Sequence, residues 1–388
     1  MFPSVSFPAP LWGAAFLFFC LFLPGPLGAR EFFLEPWGCY LDLPQGWEPL
    51  EVSETKATFA DEGANAFFQI HVYPASRYDG GEEMFQDVGD RMKADGEGEL
   101  FLYQGKEAVL TDLLFQGGST FFRGWGLYID GTDFDWVVLS FATAELAEAY
   151  HFALLSALDS FSVNERALLS PGPVSQFYAA TTPDSEEFNF TIPFQDRLLQ
   201  IDTSDGDVEA SRVTLEREAR VLAVYTPDDS DAWQRFYRIL YRDSYRRMDS
   251  LFRSLVMAGV SPRRDPFLTA QTLLTWIQEF SYARTGGLED FSTPLDSLYN
   301  GAGDCDSLGL LYVILLKHYG IDAILMVSET YGHAMAAVDV EGPGARFEWQ
   351  DKRYLVAETT YEVDLGLIAA DMADPDYWMG VTFLPNIP

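Results

Sequence analysis

The stretch from Leu308 to Tyr319 is apolar on nearly every face of a helix and stops at Gly320. A helix sitting on a protein surface keeps a polar side, so this one belongs inside a core. Glycine just past the last helical residue is a favoured stop. The segment that opens the helix is Gly303-Asp-Cys-Asp-Ser307, which puts Cys305 at the helix N-terminus. Unpaired backbone N–H groups and the helix dipole at such a position lower a thiol pKa and can donate to an oxyanion. Asp304 and Asp306 push the other way, so a thiolate at Cys305 requires an imidazolium partner.

A partner follows in the chain. Asp322 to Val327 reads as a strand, and Gly332-His-Ala-Met-Ala-Ala-Val-Asp-Val340 as the next, with His333 at its start. Beyond a turn containing Gly342-Pro-Gly344, Tyr354-Leu-Val-Ala-Glu-Thr-Thr360 reads as a further strand carrying Glu358. Neighbouring strands can present base and acid side by side to a helix-borne thiol. A carboxylate on the far imidazole nitrogen would fix the tautomer and stabilise the charged ring.

Upstream, Phe188 to Thr203 and Val208 to Tyr225 read as strands or a hairpin. Asp231 to Met257 reads as one long amphipathic helix capped by Ser230 and ended by Gly259, and Pro266 to Tyr282 as another helix. Arg235, Arg242, Arg246 and Arg253 fall along one ridge of the long helix. That ridge is either a solvated face or a docking surface for the acidic first domain or an anionic ligand.

In this order of elements the C-terminal half resembles the transglutaminase-like superfamily. The match runs through Trp276-Ile-Gln278, Tyr282, Leu295 to Leu298, Gly303-Asp-Cys-Asp306, Gly320, Gly332-His333 and Glu358-Thr-Thr360. The resemblance implies a papain-like domain over residues 186–388, with Cys305 as nucleophile, His333 as base and Glu358 as the acid. Many members hold Asp followed by Pro and Thr at the acid position, where this chain has Glu-Thr-Thr. Gln278 resembles a glutamine on the preceding helix of the prokaryotic members, which implies an oxyanion donor. The exported prokaryotic members are similar in pattern, and they imply peptidase or amidase action ahead of crosslinking. No cofactor is expected, and four histidines scattered along the chain with one nearby Cys make no coherent set of metal ligands.

Residues 31–165 read as one α+β unit. Strands are expected at Cys39 to Leu43, Ala66 to Tyr73, Lys106 to Phe115, Thr120 to Asp130 and Asp135 to Ala142, with helices at Met84 to Lys93 and Ala144 to Phe161. Tyr40-Leu-Asp-Leu-Pro-Gln-Gly-Trp47, Gly105-Lys-Glu-Ala108 and Leu158-Asp-Ser-Phe161 resemble the PsbP-like α/β/α sandwich. His71 and His151 stand alone there and read as structural, while His318 near a helix C-terminus reads as a cation favoured by the dipole. Ser170-Pro-Gly-Pro173 and the polar run after Thr181 mark residues 166–185 as a linker.

Lys and Arg number 25 against 59 Asp and Glu, a formal charge of -34, which disfavours nucleic acid and anionic bilayers. Residues 1–29 lack Lys, Arg, Asp and Glu and are apolar from Leu11 to Leu23, as in a secretory signal peptide; the other reading is an uncleaved membrane anchor. After cleavage Cys39 and Cys305 remain, Cys20 having gone with the signal. The expectation is an exported thiol enzyme, periplasmic or extracellular, acting on amide bonds of a protein or peptide through a Cys305 thioacyl intermediate. The alternative is a catalytically inactive binding or scaffolding protein of the cell envelope.

Overall fold

The computed structural model describes residues 31–226, 229–262, 265–284 and 291–384. The expected signal at 1–29 lies outside them. The chain divides into two compact units: one runs to Ala167 and resumes at Gly172–Thr181, the other comprises Leu168–Pro171 and everything from Thr182. No helix among the described residues is long and apolar enough to cross a membrane.

In the N-terminal unit β1 (Glu31–Leu34) and β2 (Cys39–Asp42) form an antiparallel ribbon. Then come β3 (Glu48–Val52), β4 (Lys56–Ala60), β5 (Ala66–Pro74), α1 (Gly81–Met92), β6 (Gly98–Tyr103), β7 (Lys106–Gly117), β8 (Thr120–Ile129), β9 (Phe134–Thr143), α2 (Ala147–Ser160) and α3 (Pro173–Thr181). Strands β3 to β9 make a seven-stranded antiparallel sheet in the order β3-β4-β5-β9-β8-β7-β6. Side chains alternate faces along a strand, and both faces here are apolar. Phe68, Ile70 and Val138 share a core with Leu154 and Leu158 of α2, Val174 of α3 and Cys39 and Leu41 of β2. Phe67, Val137, Leu139 and Phe141 pack with Met84, Val88 and Met92 of α1 on the other side. The sheet is therefore the middle of three layers.

The expected linker at 166–185 instead contains α3. Asp159 Oδ1 accepts from the amides of Val174 and Ser175 at 2.9 and 3.0 Å, so a carboxylate from α2 caps the start of α3. The Pro-Gly-Pro run that reads as linker ends in Pro173 at the first helical position, where proline is tolerated.

The C-terminal unit opens with the hairpin β10 (Glu187–Phe194) and β11 (Arg197–Ser204). Val208 to Tyr225, expected as strands or part of a hairpin, is instead helix α4 (Asp205–Leu222). Ser204 Oγ accepts from the Asp207 amide at 3.1 Å, and Asp205 and Asp207 lie in the first turn, an N-terminus that outweighs the β-branched Val208, Val213 and Thr214. The expected long helix is α5 (Ser230–Tyr245) and α6 (Asp249–Met257), separated by a tight turn at Arg246–Met248 and capped one residue earlier than expected, by Asp229. Next are α7 (Pro266–Ile277), β12 (Ser281–Tyr282), α8 (Pro294–Asn300), β13 (Ala302–Gly303) and α9 (Cys305–His318). The chain closes with β14 (Ala323–Ser328), β15 (His333–Val338), β16 (Arg346–Trp349), β17 (Lys352–Ala357) and β18 (Met379–Val381).

These last five strands form an antiparallel sheet in the order β16-β17-β15-β14-β18. Helix α9 packs on β14 and β15, with α5, α7 and α8 around it. Every residue from Ser307 to Lys317 is buried. The approach to the sheet is close at Gly309, where an added Cβ would come within 2.8 Å of Leu325 Cδ1. Ala323, Leu325, Ala336 and Val338 face this core, while Ile324, Met326, Met335 and Ala337 face a second cluster beneath Trp378.

Leu311, fully buried in α9, gives a test of this arrangement. Leu311→Ala should lower the stability of the C-terminal unit by about 2–5 kcal/mol, read from urea unfolding. A loss well under 1 kcal/mol would contradict burial on all sides.

Candidate active site

Several local features place Cys305. Thr293 Oγ1 accepts from the Asp296 amide at 3.0 Å to start α8, and Gly301, at φ 60°, ends it in the left-handed conformation that glycine adopts without strain. The chain then pairs in parallel with β12, Tyr282 opposite Gly303. Asp304 caps α9 by accepting from the Ser307 amide at 2.8 Å. Cys305 follows as the first helical residue, 3% exposed.

Three groups address its sulfur. The thiol donates to Asp306 Oδ2 at 3.3 Å, and the Ala334 N–H and the exposed Tyr282 hydroxyl are near enough to act on it electrostatically. Burial and then the Asp306 charge raise the thiol pKa, the Ala334 N–H opposes them, and the net effect pushes it up to about 12. Cys305 is at rest a neutral thiol.

His333 and Glu358 come from neighbouring strands. The β15–β17 ladder ends at Ala336 opposite Ala357, and both residues lie just past that end. His333 Nε2 meets Glu358 Oε2 at 2.8 Å, while Glu358 Oε1 accepts from the Thr360 amide and hydroxyl, each at 2.7 Å. Burial raises the Glu358 pKa, but the bonds from His333 and Thr360 outweigh it and hold the carboxyl below its ordinary range. The structure pairs His333 with Glu358, and Ala334, the residue after His333, is among the groups that act on the Cys305 thiol. Trp378 stands edge-on to the His333 ring at 6.3 Å.

Gln278 does not point its donors at the sulfur. Its Nε2 donates to the carbonyls of Glu358 and Val363 at 2.8 and 2.9 Å, so both amide hydrogens are engaged and the oxyanion role is not available to them. Together with Gln271, whose side chain accepts from the Leu365 amide at 2.8 Å, it ties the segment after Glu358 to α7. Sequence reasoning also passed over Tyr237, whose hydroxyl donates to Asp306 Oδ1. Its place on an apolar helix face reads as packing.

Two of the four ridge arginines are not on a solvated face. Arg235 is buried with Glu218 at 2.9 Å, and Arg242 donates to the Ser170 carbonyl at 3.1 Å, both inside the C-terminal unit. Arg246 and Arg253 are exposed, Arg246 in the turn that breaks the helix. His318 is not a dipole-favoured cation: stacked between Tyr245 and Phe252, it has its pKa lowered by burial. His71 is buried and also held neutral, its pKa lowered to about 3, and His151 packs on Trp125.

No protein-family model matches the chain, and no curated protein does. Among solved structures, cyanobacterial PsbP (CyanoP) from Synechocystis sp. PCC 6803 aligns at 12% identity and a TM-score of 0.31, over 40% of this chain and 99% of that one. A crystal structure from Bacteroides thetaiotaomicron VPI-5482 aligns at 9% identity and a TM-score of 0.26, over 84% of this chain and 89% of that one. Scores of this size bear on neither fold nor chemistry.

Two outcomes follow from the acid's surroundings. Gln278→Leu should cost about 1–3 kcal/mol in urea unfolding, because two carbonyls lose their donor; unchanged stability would free the amide for another role. Because the folded pKa of Glu358 is depressed, its ionised form stabilises the fold above the unfolded value of about 4.3 and that contribution is lost as pH falls through the lower folded value. The stability gap between wild type and Glu358→Gln should therefore be widest near neutrality and close in acid, and a gap independent of pH would contradict the assignment.

Proposed function

We propose that the C-terminal unit is a transglutaminase-like thiol enzyme that cleaves or transfers amide bonds of a protein or peptide. The observation that carries this reading is the 2.8 Å contact between His333 and Glu358 beside a thiol already touched by the neighbouring Ala334 amide. With Nε2 committed to Glu358, Nδ1 is the ring nitrogen left to take a proton. Cys305 Sγ attacks the carbonyl carbon as its proton passes to His333, and the imidazolium, stabilised by Glu358, returns that proton to the leaving amine. A thioester remains on Cys305. Water or a second amine, deprotonated by the same His333, attacks it and releases the thiol. The neutral resting thiol favours proton transfer in step with attack over a standing ion pair.

The N-terminal three-layer unit fits a PsbP-like module that recruits a partner, and an exported, periplasmic or extracellular location fits the apolar leader. One observation favours a second reading. A thiol pushed up to about 12 also suits a site that no longer turns over, leaving an envelope scaffold.

A panel of peptide p-nitroanilides, with and without a fluorescent primary amine, separates these readings. Cys305→Ala should abolish turnover while leaving the far-UV circular dichroism unchanged, and retention of more than a few percent would place the nucleophile elsewhere. His333→Gln should match that loss. Glu358→Gln should lower kcat by orders of magnitude with little change in KM, and Glu358→Asp, which keeps the charge with about one methylene less reach, should fall between. Wild-type activity in Glu358→Gln would reduce the site to a dyad. No turnover in wild type, with a Cys305 no more reactive than an ordinary thiol towards an amide-mimetic electrophile at pH 5 to 8, would favour the scaffold.

A further inference from the structure

Asp306 uses both oxygens at the site. Oδ2 accepts from the Cys305 thiol at 3.3 Å, and Oδ1 accepts from the Tyr237 hydroxyl. Tyr237 sits in α5 with 1% of its surface exposed, stacked on Trp233 at 6.0 Å and edge-on to Phe236 at 5.2 Å, so its ring has no room to turn. Burial holds its hydroxyl protonated far beyond the ordinary range, which makes it a permanent donor. One carboxylate is thus gripped from the core on one oxygen and grips the sulfur with the other.

The remaining groups around the sulfur do not do this. Asp304, on α9, is turned to the Ser307 amide as a cap. Tyr282 of β12 is half exposed, and on β15 the Ala334 N–H favours the anion, while His333 is bonded to Glu358. Asp306 accepts the hydrogen bond of the neutral thiol at rest.

We propose that Asp306, anchored by Tyr237, is a positioning residue that holds Cys305 as a hydrogen-bonded thiol between turnovers, the proton leaving for His333 when a carbonyl substrate engages the sulfur. This rests on the reading of Cys305 as nucleophile. It sets the kind of reagent the site resists: electrophiles that need a standing thiolate react slowly, whereas a substrate seated between sulfur and imidazole is attacked as the proton moves. A thiolate that forms only transiently from a weakly acidic thiol is also the stronger nucleophile once formed.

The test is alkylation of the full chain by iodoacetamide, in which a sulfur–carbon bond forms and iodide leaves, followed from pH 6 to 11 with thiolate absorbance recorded in parallel. Wild type should alkylate slowly until strongly alkaline pH. Asp306→Asn keeps the shape and removes the charge, and should raise the rate near pH 8 by about tenfold or more, one pKa unit of thiolate. Asp306→Ser, checked by circular dichroism, answers the same question if the amide perturbs the helix start. A pH–rate profile unchanged in folded Asp306→Asn or Asp306→Ser overturns the proposal. Alkylation requires no turnover, so a shifted profile beside a fully active Cys305→Ala would uphold the role of Asp306 on the thiol and sink the nucleophile reading instead.

Discussion

The C-terminal unit depends on finding cover for α9 on every side. Each fully buried leucine or isoleucine of such a helix contributes about 1.5–3 kcal/mol relative to exposure, and α9 carries Leu308, Leu310, Leu311, Ile314, Leu315 and Leu316 at 2% exposure or less. One sheet covers one side. The rest must come from α5, α7 and α8, so these helices are fixed around α9 by the same burial that fixes α9 on β14 and β15. Tyr312 shows how polar groups are accommodated in that interior, its hydroxyl donating to the Ala270 carbonyl of α7 at 2.9 Å. The candidate site sits at the N-terminal end of α9. Its first residue is the thiol, and the strand it packs on begins with the imidazole.

Electrostatics at that end run in two opposed directions. Around the imidazole, charge is arranged to be stabilised: Glu358 is saturated by Thr360 and aimed at His333. Around the sulfur, charge is arranged to be refused, by burial and by Asp306. The carboxylate of Glu358 is thus held ionised beside the imidazole, while the thiol of Cys305 is held neutral.

Much of the site was legible because it follows from chain order and hydrophobic pattern. An all-round apolar helix after Gly-Asp-Cys-Asp, a strand with His333 near its start and a strand carrying Glu358 need no long-range information. What escaped needed it. The amide of Gln278 could serve an oxyanion or a carbonyl, and the choice depends on where the segment from Glu358 to Val363 returns. The four arginines at helical spacing read as a surface ridge, yet two are buried because Glu218 and the Ser170 carbonyl, distant in sequence, receive them. Helix α4 was mistaken for strands through its β-branched residues, a weak preference against a capped N-terminus. Helix α3 was hidden by proline, which both breaks chains and starts helices.

The two cysteines among the described residues, Cys39 at 0% exposure and Cys305 at 3%, are each sealed inside a different unit. Burial holds both thiols above their ordinary range, so neither is a ready thiolate. A disulfide needs its two Cα atoms within about 7 Å, and each sulfur is enclosed by side chains of its own unit. Oxidation that joined them would have to precede folding or follow unfolding, so the redox state of the folded chain is guarded by its two cores.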